Sequence, residues 1–277
     1  MAHGEVPARV PPSPTATAAS PSVYANDNLQ GRNASVTVAI IGAGFLGRCI
    51  ALDLSLLGVQ VLVCDTNPQA ATALSSFAYE LMNPMLHLGY VTKSMITRAC
   101  GRIRVVRDVA ECSSAAFVIE AIPDDLEAKV KLFQSLEKVC SASTILMTST
   151  IQLSVDDIQQ RLRHRDRFLG VRFFHPCVLL PPVEVTPGLE TTSHTVERIV
   201  ALLLQLQKEP HRGPTRRVLS NREVSAFQFN TAVRGRFYHG LLEPTPEATY
   251  GLIVPAEGPP LISQSAGEDT RGVTTSL

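Results

Sequence analysis

The sequence predicts an α/β chain built on a doubly wound parallel sheet. Three observations carry that prediction. From Ser35 to about Lys208, short apolar runs alternate with segments of helical period, the pattern of βαβ units. The first run passes directly into a glycine-rich turn that opens a helix. No internal repeat competes with this reading.

In order along the chain, residues 1–34 are rich in Pro, Ala, Ser and Thr and are expected to form a disordered tail, being too poor in apolar surface to order themselves. "VTVAII" (Val36 to Ile41) reads as a buried first strand, and "RCIALDLSLLG" as a helix that ends at Gly58. "VQVLVCD" is a second strand. Between Pro68 and Arg102 a long helical-period stretch contains "LMNPMLHLGYVT", where Pro84 and Gly89 suggest a helical-hairpin insertion. "AAFVIEAI" (Ala115 to Ile122), "STILMTST" and "RFLGVRFF" repeat the character of the first strands. Beyond Glu209 the pattern decays. "HRGPTRRVLSNREV" is basic and interrupted by proline, leaving room for one short helix around Val224 to Val233. Glu243 to Leu277 is rich in Pro, Gly, Thr and Glu. The expected division is a tail (1–34), one nucleotide-binding unit (35–208) and a divergent, largely irregular segment (209–277).

Bulk properties narrow the function. The 277 residues carry 25 basic and 25 acidic side chains, so no global field favours nucleic acid or an anionic membrane surface. No apolar run is long enough to span a bilayer. The six cysteines (Cys49, Cys64, Cys100, Cys112, Cys140 and Cys177) are dispersed without a C-x-x-C pair, which argues against a zinc site and against a disulfide framework. Free thiols and an intracellular, cytoplasmic address are expected. A mitochondrial transit signal stays open as the alternative, because the first 34 residues hold few acids and include Arg9 and Arg32.

The main chemical signal is "VTVAIIGAGFLGRCIAL". Gly42, Gly44 and Gly47 form G-x-G-x-x-G between a strand and a helix, with Ala43, Phe45 and Leu46 filling the loop. The glycines provide a tight turn, close backbone approach to a pyrophosphate, and close helix–strand packing. The helix N-terminus supplies N–H groups and a positive dipole end for that phosphate. A glycine-rich turn can also be a plain strand–helix junction, but Asp65 follows about 20 residues on. An acid there accepts hydrogen bonds from ribose hydroxyls and repels a 2′-phosphate, so NAD is the expected cofactor, bound on a Rossmann-type sheet.

Residues from about Val36 to Pro210 resemble the NAD-binding domain of the 3-hydroxyacyl-CoA dehydrogenases. The matching pieces are "VAIIGAGFLGRCIA", "FVIEAIPDDLEAKVKLFQSLE", "STILMTSTIQLSVDDI" and "RFLGVRFFHPCVLLPPVEVTPG", in the family's order and spacing. The resemblance implies that Asp124 and Lys129 join the glycine loop and Asp65 in lining the cofactor site. Asp124 stands where the family usually has glutamate. The plain alternative for this acid–lysine pair is a solvated helix start, since an i, i+5 spacing is not a helical neighbour pair.

The departures from the family pattern concern catalysis. The family motif G-x-H-F-F-N-P supplies a histidine that takes the proton of the 3-hydroxyl as hydride leaves, and a later V-E-V glutamate that orients the ring. Here the glutamate is Glu184, but Arg172 holds the histidine position. Arginine stays protonated and cannot act as the base. His175 holds the asparagine position, three residues on, where strand alternation turns it to the other face. Ile151 and Gln152 replace the family's substrate-contacting serine and its neighbour. An Arg172–Glu184 pair is expected in the converted site. The family's D-x-P-G-F-x-x-N-R motif does not follow "QKEP", so a helical, dimerising domain is not expected and oligomeric state stays undetermined. Two function classes stand. One is an NAD-dependent oxidoreductase of a 3-hydroxyacyl-CoA or related hydroxy acid, with altered activity. The other is a non-catalytic NAD-binding sensor or interaction protein.

Overall fold

The computed structural model describes residues 31–213, apart from 68, 70–72, 88, 175, 176 and 179. The strands are β1 (Thr37–Ile41), β2 (Gln60–Cys64), β3 (Ile103–Val106), β4 (Phe117–Glu120), β5 (Ile145–Thr148), β6 (Phe168–Phe173), β7 (Pro182–Pro187) and β8 (Glu209–Arg212). The helices are α1 (Phe45–Leu56), α2 (Leu74–His87), α3 (Lys93–Gly101), α4 (Leu126–Val139), α5 (Val155–Gln159) and α6 (Ser193–Gln205). All strands join one sheet in the order β3-β2-β1-β4-β5-β6-β7-β8. Strands β1 to β6 run parallel. Strand β7 turns back antiparallel on β6, and β8 is parallel to β7. The sheet is therefore parallel over its main part and reversed at one edge.

Strand alternation sorts the apolar residues into two layers. Val38 and Ile40 of β1 enter one core with α1, α2, α3 and α6. Ala39 and Ile41 enter the other with α4 and α5. Because both faces are covered, the strands read as continuous apolar runs rather than alternating ones. This is the Rossmann-type arrangement expected from the sequence.

Helix α1 ends as expected at Gly58, whose φ is 97°. The Val59 N–H reaches back to Leu54 O at 3.1 Å, satisfying a terminal carbonyl in a Schellman-type close. The insertion is a helical hairpin of α2 and α3, also as expected. Its break lies at Gly89 (φ 77°), whereas Pro84 is absorbed inside α2.

Both boundaries read from composition move outward. Asn33, assigned to the tail, is fully buried; its side chain donates to Leu57 O and accepts from Gln205 Nε2, each at 2.7 Å. Strand β8 carries the sheet through Arg212, past the expected limit at Lys208. Backbone pairing there does not need an apolar run, so local composition underestimates it. The expected helix at 224–233 and the two expected disordered tails lie outside the described residues, except for the few residues just mentioned. All six cysteines are free, matching the expectation. Among the described residues no helix is long and apolar enough to cross a membrane, and no group of His, Cys, Asp or Glu could hold a metal ion.

Candidate functional site

Strands β1, β2, β4, β5 and β6 run parallel, so their carboxyl ends lie along one edge of the sheet. The strand order reverses at β1, between β2 and β4, and the crevice that such a reversal leaves is where open α/β sheets bind ligands. The Gly42–Gly47 loop lies there. Gly42 has φ 106°, and a Cβ on it would sit 2.7 Å from Ala121 O. A Cβ on Gly47 would lie 1.9 Å from Gly42 O, so this glycine lets α1 press onto the loop. Gly44 differs: a Cβ there meets nothing within 4 Å. It is also the N-cap of α1 and places no side chain over the first turn. Two glycines thus serve the protein's own packing, and the third keeps the helix N-terminus open. That combination fits a pyrophosphate. Asp65 closes the loop from the end of β2, its Oδ2 accepting from the Ala43 N–H at 2.6 Å and its Oδ1 from the Asn67 N–H at 2.7 Å. Phe45 is half exposed and meets the Phe77 ring edge-on, 5.6 Å between centroids. Leu46 packs against the main core.

Asp124 and Lys129 meet, though not on a solvated helix start. Lys129 is fully buried and its Nζ lies 3.3 Å from Asp124 Oδ1. The i, i+5 spacing is no obstacle because Asp124 precedes the N-cap, Asp125, and lies outside the helix. A residue absent from the sequence-based site completes the network: Glu120, the last residue of β4, also fully buried. It forms a short ion pair with Lys129 and accepts from Thr148 Oγ1 and the Ile122 N–H, each at 2.7 Å. Burial pushes the Glu120 carboxyl up, against the lowering effect of Lys129, Thr148 and Ile122. For Asp124, burial also acts upward. The backbone N–H groups of Gln152 and Ile151, then Thr150 and Lys129, overcome it and hold the carboxyl below its ordinary value. Those two N–H groups donate to Asp124 Oδ2 at 2.9 and 3.0 Å. Ile151 and Gln152 thus hold the loop after β5 through their backbones, whatever their side chains do. The signal for Glu120 was available: an acid closing an apolar strand must find a partner.

Arg172 and Glu184 stand directly opposite each other in the β6–β7 ladder. Their contact is a single ion pair, Nη2 to Oε1 at 3.3 Å, with side chains 11% and 2% exposed. The expected pairing is present. Thr186 Oγ1 also donates to Glu184 Oε1, at 3.3 Å. Burial raises the Glu184 carboxyl, while Arg172 and Thr186 lower it. His175 lies outside the described residues.

Comparison with known proteins agrees with this geometry. The family model "3-hydroxyacyl-CoA dehydrogenase, NAD binding domain" matches residues 37–212. A 3-hydroxyadipyl-CoA dehydrogenase of Escherichia coli (strain K12) is 34% identical over 176 residues, covering 64% of this chain and 37% of its own length. A peroxisomal fatty acid beta-oxidation multifunctional protein of Arabidopsis thaliana is 28% identical over 173 residues, 62% of this chain and 24% of that protein. Among solved structures, 3-hydroxybutyryl-CoA dehydrogenase from Escherichia coli K12 superposes with a TM-score of 0.64 at 31% identity, over 76% of this chain and 44% of that one. The chain spans less than half the length of each of these relatives. With glycine loop, Asp65 and sheet reversal in their places, the chain belongs to the 3-hydroxyacyl-CoA dehydrogenase family and carries its NAD-binding domain.

Proposed function

We propose that the chain binds NAD along the carboxyl edge of β1, β2 and β4, and that dehydrogenation of a 3-hydroxyacyl-CoA or related hydroxy acid is impaired there. The observation that carries the reading is Arg172 paired with Glu184 where the family places a base and its orienting acid. When bound, NAD supplies the hydride acceptor. The glycine loop holds its pyrophosphate, Asp65 the ribose hydroxyls, and Asp124 with Lys129 the wall of the same crevice. No proton acceptor of near-neutral pKa stands at the Arg172 position, because guanidinium stays charged at any working pH. Glu184 is buried against that cation, which keeps it engaged.

The same observation favours a second reading, an NAD-binding protein that senses cofactor or engages a partner without turnover. An acyl-CoA-like small molecule remains the expected ligand of the first reading, and a reducing intracellular compartment suits the free thiols of both. Steady-state NADH formation from 3-hydroxybutyryl-CoA, beside a calorimetric NAD titration, separates them. NAD binding with turnover below the usual enzymatic range of about 1–10³ s⁻¹ supports impairment. Turnover within that range shows that the site retains a base, with His175 the first residue to test.

A further inference from the structure

Glu120 closes β4 beside the point where the strand order reverses, and its carboxylate gathers three separate segments. Oε1 accepts from the Ile122 N–H at 2.7 Å and pairs with Lys129 of α4. Oε2 accepts from Thr148 Oγ1 of β5 at 2.7 Å. Lys129 passes the contact on: its Nζ donates to Ile122 O at 3.1 Å and lies 3.3 Å from Asp124 Oδ1. The three donors of the ammonium thus meet three acceptors, and none is left for a ligand. Both Glu120 and Lys129 are fully buried, so neither touches a bound cofactor. Asp124, 19% exposed, is the member of the network that reaches the crevice.

The carboxylate fixes the segment from Ile122 to Asp124. Ala121, just before it, is held by β1 independently, its N–H donating to Ile41 O at 2.8 Å. Beyond it, Asp124 Oδ2 holds the N–H groups of Ile151 and Gln152, so a shift of the segment passes to the loop after β5. The glycine loop is tied to β2 instead, through Gly42 N–H to Cys64 O at 2.8 Å and Ala43 N–H to Asp65. These two clusters stand on opposite sides of β1 in the sheet. A dinucleotide with its adenosine ribose at Asp65 extends its other half across the reversal, toward β4 and β5. We propose that Glu120 is a positioning residue for the nicotinamide half of the cofactor, acting through Lys129 and Asp124 on the loops after β4 and β5. The adenosine half depends on Asp65 and the glycine loop, whose bonds do not pass through Glu120. The inference rests on the NAD-binding reading and adds which half of the cofactor each cluster serves.

The test is calorimetry on the full chain with NAD and with ADP, which carries the adenosine and pyrophosphate but no nicotinamide. Glu120→Gln combined with Lys129→Met removes both buried charges together and strands neither. It should weaken NAD about tenfold or more and leave ADP nearly unchanged, because misplacement by about 1 Å brings losses on that scale. Thr148→Val keeps the ion pair and frees one carboxylate oxygen. It should show the same selectivity at about threefold or more, the scale of one hydrogen bond, and it decides the case if the double variant does not fold. A purely structural role would lower both affinities together. NAD and ADP losses that agree within about twofold in every variant that folds overturn the proposal, as does wild type that binds NAD but not ADP. Wild type that fails to bind NAD sinks the cofactor reading and this inference with it. Wild type that binds both, with variants that do not discriminate, sinks the Glu120 assignment alone.

Discussion

At the scale of single residues, buried and half-buried charges organise the candidate site. Asp65 sits where it accepts from the Ala43 N–H, so it shapes the loop for which we propose a ribose-binding role. NAD should bind more tightly than NADP, and Asp65→Ala should weaken NAD by about 1–3 kcal/mol. Titrating both cofactors against both proteins checks this; equal or tighter NADP binding by wild type would remove the preference. Lys129 holds two acids, one of them fully buried. Lys129→Met should cost about 3–5 kcal/mol in urea unfolding, because it strands Glu120 without its cation. The two acids titrate with opposite sign. Asp124, held below its ordinary value of 3.8, contributes stability above that pH and loses it as pH falls further. Glu120, pushed above 4.5, favours the folded state most in acid and loses that contribution as pH rises through its raised value. Unfolding curves from pH 3 to 7 for Asp124→Asn and Glu120→Gln should each flatten one of these slopes. On the proposed reading, at the position where the family places its base, Arg172→His alone should not recover normal turnover. A missing general base costs about 10²–10⁴-fold, and Ile151 still denies the substrate an orienting hydroxyl. Comparing NADH formation by wild type, Arg172→His, and Arg172→His with Ile151→Ser decides it.

The element that matters most is the β1–loop–α1 unit, where three glycines share a motif and differ in physical task. A methyl at Gly47 would collide with Gly42 O, and the backbone has no flexible side chain to yield. Gly47→Ala should therefore displace α1, costing about 1–3 kcal/mol as an overpacking defect, with loss of NAD binding. A methyl at Gly44 meets nothing in the protein. Gly44→Ala should melt like wild type and still bind NAD more weakly, because the added group occupies the space a pyrophosphate needs. Melting curves and NAD titrations on the pair test this. Equal cofactor loss and equal destabilisation in both variants would show that the loop is a structural junction after all. The motif announced all three glycines without ranking them. Gly42 faces Ala121, remote in sequence and beside it only in the sheet, whereas Gly47 meets Gly42 and Ile40 of its own unit and Gly44 meets nothing in the protein.

For the whole molecule, the sequence by itself determined the class of fold, the order of its main elements, the glycine loop and the residue types at the Arg172–Glu184 position. These were legible because they are local: apolar runs report burial on both faces, glycines mark φ and close approach, and Arg172 cannot lose its proton in any fold. Tertiary structure alone decided the rest. It paired β8 with β7 and so extended the unit beyond Lys208. It brought Asn33 against α1 and α6 from a segment whose composition suggests a tail. It recruited Glu120 into the Lys129 network, and it left three atoms of the Arg172–Glu184 pair unmatched. Each of these depends on which distant groups share one low-dielectric volume. Burial and pairing are properties of that shared volume, and no single stretch of chain encodes them.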